Sequence, residues 1–77
     1  MMDYREYITA NPKIMLGKAC IKGTRITVEL ILDLLSQGVP ISEIMTMYPH
    51  VPEEGIFAAI RYAYEAVAHE ELLDVTE

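Results

Sequence analysis

Few of the chain's reactive side chains stand where chemistry would need them. Cys20, the one cysteine, has no histidine at a spacing used by thiol nucleophiles. His50 and His69 do not join it in a metal-ligand pattern. Cys20 therefore reads as a small buried hydrophobe. Glu65 and His69 stand four apart in a helical stretch, which makes a surface pair. Glu29 and Asp33 read as a solvated like-charge face. No glycine loop that would cradle a phosphate is visible. The sequence thus predicts no catalytic residue, no metal ligand and no cofactor, and excludes an enzyme.

Lys18, Lys22 and Arg25 are the second group. Strand alternation would put Lys18 and Lys22 on one face, with Arg25 just past a turn. Such a ribbon can hold phosphates or enter a groove of duplex DNA. It can equally be a solvated edge whose lysines discourage aggregation. Charge distribution sharpens the point. Residues 1–25 carry five basic and two acidic groups, a net of +3. Residues 26–77 carry ten acidic groups and one basic, Arg61, a net of −9. The overall −6 argues against nucleic acid for the body but leaves the N-terminal ribbon open.

The third group is an aromatic and alanine surface, Phe57, Ala58, Ala59, Tyr62, Ala63, Tyr64 and Ala66. Small residues permit close helix approach, and tyrosine is favoured at interfaces. Phe57, Tyr62 and Tyr64 are therefore the expected dimer or partner contacts.

Positioning these groups falls to a short arm and three helices. Asn11-Pro12 is a turn signal. Ile14-Met15-Leu16 and Ala19-Cys20-Ile21, parted by Gly17-Lys18, predict a small β-hairpin. Lys22-Gly23-Thr24-Arg25 is a tight turn, with Gly23 able to take a positive φ. Thr27 caps a first helix whose Val28, Ile31, Leu32, Leu34 and Leu35 face a core. Gly38 ends that helix. Ser42 is expected to cap a short second helix, Glu43 to about Tyr48, with Ile44, Met47 and Tyr48 inward. Pro49 stops it. Pro52 is expected to be the first residue of the longest helix, with Glu53 and Glu54 against its positive dipole end. Ile56, Ile60, Ala63 and Val67 form one face of that helix, and Phe57, Arg61, Tyr64 and Ala68 the adjacent one. Gly17, Gly23 and Gly38 are the structural turns. The expected fold is mainly α, a three-helix helix-turn-helix or homeodomain-like unit preceded by a short N-terminal β-hairpin.

Size and composition bound the rest. At 77 residues the chain is one domain. Its parts are an arm and hairpin over 1–26, the three-helix unit over 27–69 and a frayed acidic tail over 70–77, where Leu72 and Leu73 can dock. A chain this short buries only about 60 to 65% of its unfolded surface. Yet 52% of its residues are hydrophobic, which excludes disorder. The apolar surplus suggests burial against a partner. One cysteine excludes an intramolecular disulfide framework. There is no signal-peptide core and no membrane-length apolar run, so the expectation is a cytoplasmic protein.

Gly17-Lys18-Ala19-Cys20-Ile21-Lys22-Gly23-Thr24-Arg25-Ile26 resembles the signature of the bacterial "domain of unknown function 433" family. The likeness continues through Val28, Ile31-Leu32, Gly38, Ser42, Ile44, Tyr48-Pro49 and Ile56 to Ala63. It departs at Ala19, where the family favours proline, and at Pro52, where a polar cap is common. The resemblance implies a helix-turn-helix relation and, for some members, a VapB-like antitoxin role beside a small PIN-like ribonuclease toxin. The expected function is accordingly a homodimeric antitoxin-like protein that neutralises a toxin nuclease, its N-terminal ribbon touching operator DNA. Alternatives are a transcriptional regulator that acts through DNA alone, or a structural protein-interaction module.

Overall fold

The computed structural model describes residues 3–13 and 15–69. Two short strands, β1 (Ile8–Ala10) and β2 (Ala19–Ile21), precede three helices, α1 (Val28–Ser36), α2 (Ile41–Met47) and α3 (Glu53–Ala68). This is the expected mainly helical fold with an N-terminal antiparallel hairpin. The acidic tail, with Leu72 and Leu73, lies outside the described residues.

The hairpin uses a different first strand from the one expected. Ile8, Thr9 and Ala10 pair with Ile21, Cys20 and Ala19. Asn11 starts the turn, its side-chain oxygen accepting from the Lys13 N–H at 2.8 Å, which takes the chain out of the ladder early. Met15–Gly17 is a 3-10 turn, not a strand. Leu16 sits at φ 57° and Gly17 at φ 84°, and two left-handed residues in succession cannot continue an extended strand. The pairing sets Ile8 opposite Ile21, and both are buried. Cys20 also bridges Thr27. That contact ties β2 to the residue that caps α1.

Thr27 caps α1 as expected, its hydroxyl oxygen accepting from the Leu30 N–H at 3.0 Å. The helix ends in paired reverse bonds. The Val39 N–H donates to Leu34 and the Gly38 N–H to Leu35, at 3.1 and 2.9 Å. This geometry needs a left-handed residue, which Gly38 supplies at φ 90°. Gly23 likewise turns at φ 84°.

The start of α2 differs from expectation. Its N-cap is Pro40, whose carbonyl accepts from Glu43 and Ile44 at 3.0 and 3.1 Å, while Ser42 lies inside the helix. Proline holds the extended φ of a cap residue without a side-chain bond. Ile44 is fully buried, but Met47 points outward. A seven-residue helix offers two turns, so its buried stripe is narrow. Tyr48 leaves the helix because Pro49 forbids it the α conformation. Pro52 caps α3 from outside, so the helix begins at Glu53, one residue later than expected.

The core gathers Ile8, Ile21, Val28, Ile31, Ile44, Val51, Ile56, Ala58 and Ala59. Ile60 and Val67, which the periodicity sets on one face with Ile56 and Ala63, are exposed. The buried arc of α3 runs instead through Gly55, Ile56, Ala58 and Ala59. Two short helices and a three-residue ladder cover only one side of a 16-residue helix.

Truncation at the centre should cost more than loss of a cap. Ile31→Ala is expected to destabilise by about 3 kcal/mol and Thr27→Ala by about 1 kcal/mol. Urea unfolding monitored by circular dichroism checks both. Equal effects would contradict the core placement of Ile31.

Candidate functional site

Two surfaces hold the predicted site residues. The first is the N-terminal ribbon. Lys18 does not stand free, because its ammonium lies 3.0 Å from Oε1 of Glu29 on α1. Lys22 donates to the Arg5 carbonyl at 3.3 Å. Arg25 is exposed and makes no ion pair or side-chain hydrogen bond among the described residues. A shallow groove brings Arg25 and Lys18 together with Thr9, Asn11 and Thr24, whereas Lys22 is not among its lining residues. The face expected from alternation is thus split, because the turn after Ile21 carries Lys22 toward the arm.

The Gly23-Thr24-Arg25 turn is rigid. The Thr24 hydroxyl donates to the Ile21 carbonyl at 2.8 Å and accepts from the Ile26 N–H at 3.0 Å. A hydroxyl locked at both ends holds Arg25 outward and brings the chain into α1. On the arm, Asp3 accepts from the Arg5 backbone N–H at 3.0 Å and from the Arg5 guanidinium at 3.1 Å. The backbone bond first, then the guanidinium, holds the Asp3 carboxyl below its ordinary value.

The second surface is the outer side of α3. Phe57, Ile60, Tyr64 and Val67 are 45, 36, 56 and 67% exposed. Their spacing of three, four and three residues places them in one strip. Beside it, Arg61 pairs with Glu65 at 2.9 Å and lies 4.7 Å from the centre of the Tyr64 ring. The carboxylate of Glu65 is nearer Arg61 than His69, which stands at 4.0 Å. Phe57 and Tyr64 thus share the exposed strip. Tyr62 does not share their strip. It is half-buried and meets the Tyr4 ring edge-on, with centroids 5.6 Å apart. Ile60 and Val67 complete the strip in its place. The signal for them was the run Gly55, Ala58 and Ala59, which marks the closely packed side and so turns the large residues outward.

Cys20 is 2% exposed, with its sulfur 3.4 Å from the Lys18 carbonyl oxygen. Among the described residues no three histidine, cysteine or carboxylate side chains gather as metal ligands would.

A family model described as "Protein of unknown function (DUF433)" matches residues 8–63. The match runs from the first residue of β1 into the second half of α3. No curated protein and no solved structure matched the chain.

The Asp3 contact has a definite pH signature. A lowered carboxyl contributes stability that is complete above its unfolded pKa and lost as pH falls through the folded one. Carboxyl-detected NMR titration should place the Asp3 midpoint below that of an unstructured aspartate. Arg5→Ala should move it only part of the way back, since the backbone N–H remains. A full return would contradict the backbone bond as the larger cause.

Proposed function

The chain belongs to the DUF433 family, and from that premise we propose a non-enzymatic, antitoxin-like protein that binds and neutralises a partner toxin nuclease. The carrying observation is the character of α3. In a three-helix unit of this order the last helix is the one a DNA reader inserts into the major groove. Here that helix opens with Glu53 and Glu54 and continues as an exposed apolar strip. Its one cation, Arg61, is already paired to Glu65. Carboxylates and apolar side chains repel or ignore a phosphate wall, but they suit a protein with a basic rim and an apolar centre.

The sequence after α3 adds Glu70, Glu71, Asp74 and Glu77 without a cation. A nuclease cleft is basic because it holds nucleic acid. An acidic surface would steer toward it and compete with the substrate. Such a partner would share the cytoplasm with this protein. No helix among the described residues is long and apolar enough to cross a membrane. No catalytic role is assigned to Cys20, whose burial removes the one thiol from reach.

Co-expression with the product of the adjacent open reading frame tests the reading. A nuclease should co-purify and lose activity in the complex. Glu53→Lys combined with Glu54→Lys should weaken capture by about tenfold or more while circular dichroism is unchanged. A neighbouring frame that encodes no nuclease, together with the absence of any co-purifying partner, would overturn it.

A second reading is favoured by Arg25, the one ribbon cation left without a partner among the described residues. We propose that it contacts operator DNA, either beside the partner or as the main role of a transcriptional regulator. Binding should then fall steeply with salt, and Arg25→Ala should weaken it more than Lys22→Ala. No detectable binding to duplex DNA at low salt would exclude this contact.

A further inference from the structure

We infer that the outer strip of α3 is covered by a second copy of this chain, the two α3 helices lying antiparallel about a twofold axis. The inference rests on the reading of α3 as a protein-binding helix and specifies what that helix binds first. A twofold contact must be self-complementary, each residue meeting its mirror position in the strip. The strip satisfies this. With the axis at the level of Tyr62, Phe57 of one copy meets Val67 of the other, and Ile60 meets Tyr64. Large aromatic residues thus face aliphatic ones at all four levels. The spacing of three, four and three is that of the seam between paired helices. No described part of the chain's own fold lies over it, because the buried arc through Gly55, Ala58 and Ala59 faces the other way.

Charge is balanced for this occupant and favours the same direction. The acidic body from residue 26 onward has one cation, Arg61, and it flanks the middle of this strip. The axis brings two Arg61–Glu65 pairs onto one flank. Each guanidinium is then offset along the axis by two residues, about 3 Å, from the partner's Glu65. The two guanidiniums stand the same two residues from each other, so the order along the axis is Glu65, Arg61, Arg61, Glu65, and the four charges sum to zero at the centre of an otherwise acidic surface. A parallel arrangement would set Glu53 and Glu54 level with their own copies. The antiparallel one also opposes the helix dipoles. A basic foreign protein is matched to the acidic first turns of α3, which the twofold leaves at the outer ends of the helix pair.

Light scattering and analytical ultracentrifugation of the full chain test this. A dimer that dissociates on dilution is expected. Tyr64→Glu and Val67→Glu should each raise its dissociation constant by about tenfold or more with the helical signal unchanged. Leu16→Glu, at a side chain that is 94% exposed outside the strip, should leave it unaltered. Direction is read by cross-linking. A mixture of Ile60→Cys and Tyr64→Cys chains should form a disulfide-linked heterodimer, and neither variant alone should do so efficiently. A strict monomer at the highest soluble concentration overturns the inference, as does a dimer indifferent to Tyr64→Glu and Val67→Glu. So does efficient linking of each variant to itself. If the strip variants fold but lose the nuclease while the parent chain is monomeric, the strip belongs to the foreign partner. Loss of the dimer with retained nuclease capture would separate this contact from the proposed function.

Discussion

Four isoleucines from four elements meet at the centre of this protein. Ile21 of β2, Ile31 of α1, Ile44 of α2 and Ile56 of α3 are each almost wholly removed from water. Burying one such side chain is worth about 2 kcal/mol, and the chain is too small to hold many of them. Everything else is arranged around that junction. Thr27 fixes where α1 begins, and Gly38 turns the chain so that α2 can bring Ile44 back. Pro49 and Pro52 bracket the loop that buries Val51 before α3 starts. At Gly55 the first turn of α3 comes so near β2 that a Cβ there would stand 3.3 Å from Ile21 Cγ2. A hairpin of three residue pairs can contribute to a core only if a helix approaches it this closely.

That approach gives α3 its two characters. The side toward the core is made of Gly55, Ala58 and Ala59 beside Ile56, and the side toward water carries Phe57, Ile60, Tyr64 and Val67. Size is inverted relative to an ordinary surface helix, which hides its large residues. The inversion follows from close packing, since small residues are what let the backbones draw together. It leaves an apolar strip that water does not favour and that a protein surface can cover. The carboxylates of Glu53 and Glu54 add negative charge at the start of the same helix.

Local chemistry was legible where a single residue decides it. Thr27 as a cap, Gly23 and Gly38 as left-handed turns, and Pro49 as a helix stop all followed from residue type and position. The exposure of Phe57 and Tyr64 was also foreseen, because a helix apolar on several sides must leave one of them uncovered. Elements whose identity depends on a distant partner were less legible. Ile14-Met15-Leu16 has the composition of a strand, but Ile8 is the residue that meets Ile21 in the ladder. Tyr62 looks like its interface neighbours until Tyr4 is found against its ring. Lys18 and Lys22 look like a pair of free cations until Glu29 and the Arg5 carbonyl engage them.

The sequence by itself determined a hairpin followed by three helices, the Thr27 cap, the turns at Gly23 and Gly38 and the split of charge at residue 25. These are properties of residue type and short-range geometry, and backbone sterics and local hydrogen bonds enforce them wherever the chain goes. Only the tertiary structure decided which face of α3 is inside, which strand partners β2 and which of the three ribbon cations has no partner among the described residues. Each of those depends on how closely two segments far apart in sequence can pack, and no local periodicity carries that distance.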